Sequence, residues 1–386
     1  MPGIYRLTGT VKHYDWGGTS FIPSLLKTAN TENKPFAEYW MGTHPLGVSV
    51  VETTEGRVKK LTEYVNELPY LFKILDVKDM LSIQVHPSKA DAETEFAREN
   101  KEGIPLDSPQ RSYKDDNHKP ELMVALGDFW LLHGFKPAKE LEYILLNVLE
   151  LRELLPVYNQ SGYAGLYKYV MEMPQQEVDR ILRPLVNNIV PVYQKGSADK
   201  MDEDFWAARA ALTFSQGDHI DRGIFSVYFF NLVHLKKGEA LFQDAGVPHA
   251  YLEGQNVEIM ANSDNVLRGG LTTKYIDVKE LLKHVKCGPT VPHILKGEET
   301  TPHVRVYKTP VRDFELSAVE VGQNDVAKAI ATSTEIVIIT EGRVRIGNAG
   351  IELQAGDPAA VLLAGTEYSV TGIDKKSTVF RASVPR

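Results

Sequence analysis

Three short stretches gather side chains able to hold a metal and to move protons. In residues 81–87, Ser82, Gln84 and His86 alternate with Ile83 and Val85. That is the period of a half-buried strand, so the polar three share one face. His118, Lys119 and Glu121 form a second cluster, directly before the apolar run 122–126. His249, Ala250 and Tyr251 make a third, far downstream. Imidazole, carboxylate and one amide oxygen form a borderline nitrogen/oxygen set that suits zinc and leaves a position for water or substrate. Taken singly, each is ordinarily a satisfied core or capping residue; the grouping is what points to a site. The cations Lys73, Lys89, Lys119, Arg268 and Lys274 lie near the same stretches. Lys73 stands out because residues 69–75 otherwise read as an apolar strand.

Strands must position these groups. Residues 1–60 show short alternating segments, with 48–52 and 57–61 reading as hairpin strands around the turn 53–56. Residues 90–102 read as a short helix packed through Ala90, Ala92, Phe96 and Ala97, and 103–112 as loop. From Pro137 the texture changes. Leu141, Ile144, Leu145, Val148 and Leu149 recur at helical spacing, as do Val178, Ile181, Leu182, Leu185, Val186 and Ile189. Pro184 marks a break or kink, and Phe205, Ala208 and Leu212 outline a further helix. Strand texture returns at 226–235. Gly238, then Ala245, Gly246, Val247, Pro248 and His249, follow the turn grammar of a cupin jelly roll: a glycine turn, a strand, a small loop and an inward histidine. After a linker-like stretch at 288–303, residues 335–346 and 351–357 repeat that grammar with no histidine beyond His303. The expected fold is mainly β, two cupin-type jelly-roll barrels with an α-helical insertion. The expected division is 1–136 as the first part of a catalytic cupin barrel, 137–212 as the helical insertion, 213–288 as the second part of that barrel, and 303–386 as a C-terminal cupin-like barrel without metal ligands.

Composition narrows the function classes. The 386 residues are 43% hydrophobic and 24% charged, ordinary for a soluble globular protein. A net charge of −8 argues against nucleic acid or an anionic membrane as partner, so an anionic ligand requires a local basic pocket. The single cysteine, Cys287, leaves no internal disulfide and fits a reducing cytoplasm. The opening residues lack an export pattern and no long apolar run occurs, so a cytoplasmic protein without a membrane span is expected, as a monomer.

Residues 113–121, with Tyr113, Asn117, His118, Lys119, Pro120 and Glu121, resemble the first signature of type I phosphomannose isomerases. Residues 249–274, with His249, Gly254, Glu258, Asp264, Asn265, Arg268 and Lys274, resemble the second. Tyr14, Trp16 and Gly17, the stretch 37–45, and Leu71, Phe72 and Lys73 fit the same family. The resemblance implies a zinc-dependent aldose–ketose isomerase interconverting mannose 6-phosphate and fructose 6-phosphate through an enediolate. It implies one zinc per chain on Gln84, His86, Glu121 and His249. It puts Lys73, Ser82, Lys89 and Lys274 at the substrate; Trp16 and Trp40 read as core, with a pocket-wall role for Trp16 as the alternative, and Tyr251 is either core or a pocket hydroxyl. Arg268 would grip phosphate or the reacting oxygens bidentately. The proton shuttle stays open among Glu258, Asp264, His118 and Lys119. Carboxylates beside zinc are weakened as bases, whereas crowding by cations would suit Lys119. Glu258 is alternatively the partner that orients His249. The rival readings are a cupin dioxygenase and a non-catalytic sugar-binding cupin. The first ordinarily shows His-x-His plus a carboxylate around a redox metal, where this chain has Gln84 and His86.

Overall fold

The computed structural model describes residues 3–52, 56–347 and 350–385. It is mainly β, with antiparallel sheets of nine, ten and four strands. The ten-stranded sheet is organised by His249–Ala261, which pairs with Tyr70–Val77, Gln84–Val85, Glu121–Ala125 and Phe129–Phe135. One strand serves four neighbours because its first half pairs with Gln84–Val85 and Phe129–Phe135 and its second with Tyr70–Val77 and Glu121–Ala125; the ladder with Phe129–Phe135 shifts register between Tyr251 and Glu253. Gly254, at φ +130°, follows that irregularity. A Cβ there would lie 2.6 Å from the Asp128 carbonyl oxygen, an approach that glycine alone admits.

Alternation decides what each face carries. Phe129 and Leu131 turn inward to a cluster with Leu75, Met123, Leu241 and Tyr251. Trp130 and Leu132 turn outward to a helical layer. That layer contains Ala138–Asn147, Leu155–Glu172, Gln175–Gln194 and Glu203–Phe214. Leu141, Leu145, Val178, Ile181, Leu182, Leu185 and Ile189 are buried in it, as their spacing predicts. Several local expectations are corrected. Helix Gln175–Gln194 continues through Pro184 rather than ending there, and the non-helical residue lies elsewhere, at Gly162 in Leu155–Glu172. Trp206 is fully buried, whereas Leu212 is 50% exposed. Residues 226–229, expected as strand, complete the helix Gly223–Phe229, and the strand begins at Phe230. That helix is buried all round, so no polar period distinguishes it from a strand. Helix Lys89–Lys101 buries Ala92 and Glu99 rather than Ala90 and Ala97. Glu99 sits 2.9 Å from the Arg111 guanidinium.

Val50–Glu52 and Val58–Lys60 pair as the expected hairpin; most of its turn, 53–55, lies outside the described residues. These strands and Ile4–Thr8 do not join the first sheet. Ile4–Thr8 pairs with Ala360–Leu362 and with Val50–Glu52, so all three belong to the nine-stranded sheet built mainly from residues 298–383. Leu7 and Val51 pack there with Ile336 and Phe380, in a core that also takes Phe72, Ile74, Val257 and Ile259 from the ten-stranded sheet. The two large sheets therefore share one apolar interior. Among the described residues no helix is long and apolar enough to cross a membrane.

Candidate metal centre and substrate cleft

Strand register brings the polar groups together. His249 pairs with both Gln84 and His133, and Arg268 pairs with Gln84. Only Gln84–Val85 forms ladder in the stretch expected as a longer strand, yet Ser82 and Gln84 still reach one cleft. Glu121 opens its own strand and shares the inward face with Met123 and Ala125.

His86 Nε2 lies 3.4 Å from Glu121 Oε1, and His249 Nε2 lies 3.4 Å from Glu121 Oε2. A backbone carbonyl turns each ring: Asn265 O lies 2.8 Å from His86 Nδ1, and Val247 O lies 3.0 Å from His249 Nδ1. With the proton assigned to each Nδ1, both Nε2 lone pairs aim at the same carboxylate. His86 Nε2 is buried and has no hydrogen-bond partner. An orphaned imidazole nitrogen, a second imidazole and a carboxylate, with donor atoms within 4.8 Å of one another, fit a zinc-type ion. Burial pushes the His86 pKa down to about 4, which leaves the neutral, ligating form. Burial works against the charge on Glu121. Lys119, 3.0 Å from Oε1, and the two imidazoles nevertheless hold its carboxyl well below the usual carboxylate range.

A cleft of about 550 Å³ opens beside this centre. Its wall includes Trp16, Lys73, Ser82, Gln84, Lys119, Asp264, Arg268 and Lys274. Burial lowers the pKa of Arg268 and of Lys274, and Arg268 adds to the push on Lys274; among the described residues no carboxylate offsets either. Lys119 is paired with Glu121. Lys73 is buried in an ion pair with Glu258 and lies 3.8 Å from Glu38. Burial opposes its charge, but Glu258, Glu38 and Glu121 outweigh that and raise its pKa. Burial, helped by Glu121 and Glu38, pushes Glu258 up against the pull of Lys73.

Four expected site residues sit elsewhere. Lys89 is exposed, with Nζ donating to the Asp116 carbonyl at 2.9 Å. His118 turns to Asp313, 3.1 Å away. Tyr251 is buried and donates its hydroxyl to Glu258 at 2.8 Å. Glu258 does not orient His249, whose Nδ1 faces Val247 O. Sequence reasoning missed Glu38, His44 and Asn265. Glu38 accepts a hydrogen bond from the Trp40 indole and lines the cleft. His44 lies 3.5 Å from Asp264 Oδ2, and burial lowers its pKa. Asn265 is buried and ties the two long motifs together, accepting from Lys114 N and donating to the carbonyls of Asp115 and Asn117. All three fall in the stretches that resemble the family, but none has metal-ligand spacing to draw notice.

The family model for the catalytic domain of type I phosphomannose isomerases matches residues 4–138. A mannose-6-phosphate isomerase of Salmonella typhimurium is 34% identical over 364 residues, covering 87% of this chain and 90% of its own. That of Escherichia coli is 33% identical over 389 residues, covering 95% and 96%. The human mannose-6-phosphate isomerase is 32% identical over 416 residues, covering 96% and 95%. A solved mutant phosphomannose isomerase from Salmonella typhimurium matches with a TM-score of 0.86 at 30% identity, over 99% of this chain and 100% of that one. A solved zinc-bound mannose 6-phosphate isomerase matches with a TM-score of 0.85, also at 30% identity, over 99% and 100%. With a third of its residues identical to these relatives over nearly their whole length, and with the same fold, the chain belongs to the type I phosphomannose isomerase family.

Proposed function

We propose that this chain is a zinc-dependent aldose–ketose isomerase that interconverts mannose 6-phosphate and fructose 6-phosphate. The observation that carries this reading is the pair Arg268 and Lys274: cations with no carboxylate partner among the described residues, on a cleft wall that also holds Gln84 and Lys119. Arg268 is half-buried, and a half-buried cation without counter-charge is unfavourable until an anion joins it; a phosphate matches its guanidinium fork, with the exposed Lys274 beside it. The named activity of the relatives and the zinc of one solved relative support the substrate and the metal.

Gln84, His86, Glu121 and His249 would hold one zinc per chain. When bound, zinc supplies a Lewis acid that polarises the substrate carbonyl or its neighbouring hydroxyl without changing oxidation state. Lys119 and Asp264 both line the cleft, and in this reading one of them carries the proton between C1 and C2. Arg268 and Lys274 bind phosphate or steady the negative oxygens of an enediolate, with Ser82 adding a hydroxyl donor. Lys73 on the wall is fixed from behind by Glu258, which Tyr251 holds in turn, and Trp16 closes one side. Lys89 and His118 take no part in this reading. We read the strands as two cupin-type barrels. The catalytic barrel draws on residues 1–136 and 213–288, less the N-terminal strands that join the C-terminal sheet; 137–212 is an insertion, and 303–386 is a barrel without metal ligands. The enzyme would be a cytoplasmic monomer.

The test is a coupled assay with mannose 6-phosphate, before chelation, after it, and after zinc is restored. Activity should vanish with the metal and return with it. A zinc-replete protein that leaves mannose 6-phosphate untouched would end this reading, and oxygen uptake would favour the dioxygenase.

A further inference from the structure

The metal centre does not account for every unpaired polar atom on the inner face of the ten-stranded sheet. His133 is 6% exposed and Gln243 is 0% exposed. Neither ring nitrogen of His133 and neither amide atom of Gln243 has a hydrogen-bond partner. An orphaned buried polar group costs about 1–3 kcal/mol, so two such side chains side by side call for a partner that neither provides. Register places them directly behind the ligands. Gln243 is the cross-strand partner of Glu121, and His133 is the cross-strand partner of His249. Direct partners share a face, with Cβ atoms about 4.5–5.5 Å apart. The His133 ring also lies beside the carbonyl of Phe242, without hydrogen-bond geometry, so it reaches the strand that ends in Gln243. Neither residue is on the cleft wall.

We propose that Gln243 and His133 are positioning residues of the metal centre: they enclose an ordered water that hydrogen-bonds to Glu121 and holds its carboxylate toward His86 and His249. A buried water needs two to four polar partners, and the amide, the imidazole and the Glu121 carboxylate would provide them. The direct support for Glu121 otherwise comes from Lys119, which also faces the cleft where substrate would compete for it. Ligating carboxylates depend on such outer hydrogen bonds, whose loss lowers metal affinity about 10–100-fold. Asn256 supplies the contrast. It is 0% exposed and both its amide atoms are unpartnered, yet its cross-strand partners are Leu75 and Ala125.

This inference rests on the reading of the centre as a zinc site, and the experiment separates the two. The zinc dissociation constant of the full chain is measured by competition with a chromophoric chelator, alongside thermal melting of the zinc-free protein. Gln243→Leu and His133→Leu should each weaken zinc about 10–100-fold. Their zinc-free forms should melt close to wild type, because each leucine removes a buried polar group together with the hydrogen bond it made to the water. Should either leucine lower the melting temperature, Gln243→Met and His133→Met, with slimmer side chains, are read in its place. His133→Gln keeps a polar head and should bind zinc within a few-fold of wild type; Asn256→Leu should leave zinc binding unchanged. Wild-type zinc affinity in both leucine variants would overturn the proposal, as would an equal loss in Asn256→Leu. A wild-type protein that binds no zinc would refute the reading of the centre itself.

Discussion

Arg268→Ala removes a guanidinium that the fold itself does not use. Arg268 sits on the two-residue strand Leu267–Arg268, opposite Gln84, with its side chain on the cleft wall. Burial disfavours its charge, and among the described residues no carboxylate compensates. The zinc-free variant should therefore melt at the wild-type temperature or above it. Catalysis should respond in the opposite direction. A guanidinium fork makes two charge-assisted hydrogen bonds of roughly 1.5–3 kcal/mol each, so about 3–6 kcal/mol of transition-state binding is lost, or about 10²–10⁴-fold in kcat/KM. If the fork serves phosphate alone, KM rises more than kcat falls; if it also steadies the enediolate, kcat falls as well. Inorganic phosphate should raise the melting temperature of wild type and raise that of Arg268→Ala much less, because only a ligand bound to the native state stabilises it. The assay is steady-state turnover of mannose 6-phosphate, with zinc content checked in each preparation. A folded, zinc-replete Arg268→Ala protein that works at the wild-type rate would refute the reasoning. So would a large fall in its zinc-free melting temperature, which would mean that Arg268 holds its own loop.

Lys73→Met should destabilise the protein by about 3–5 kcal/mol, because it leaves Glu258 and Glu38 buried without their shared cation. Thermal melts measure it, Lys73→Met/Glu258→Gln should recover part of the loss, and an unchanged melting temperature would contradict the ion-pair account. The zinc-free protein should lose stability as pH falls from about 6.5 toward about 4, since burial pushes His86 and His133 down to about 4 and the unfolded chain takes up their protons first. That stability is fully present above the unfolded value of 6.5 and amounts to something on the order of 3 kcal/mol per imidazole. Denaturant midpoints measured across the range should slide downward with pH, and a flat profile would count against neutral buried imidazoles.

Sequence alone determined what depends on local period and on side-chain chemistry. Alternation around Gln84 and His86, the helical stripes of Leu141 and Ile181, and the hairpin of Val50–Glu52 with Val58–Lys60 are written in neighbouring residues, where backbone geometry acts over a few positions. Residue type also made His86, Glu121 and His249 recognisable as a potential donor set, and the structure gathers those three. Tertiary structure alone decided which strands meet. Nothing near Arg268 says that it will face Gln84, and nothing near His133 or Gln243 says that they will back His249 and Glu121. Tertiary packing likewise drew Lys89 and His118 away from the cleft and turned residues 226–229 from strand into helix. The physical reason is that register and burial are settled by contacts between segments far apart in the chain. A one-residue slip in such pairing would send a whole set of side chains to the other face, while the local pattern would read the same.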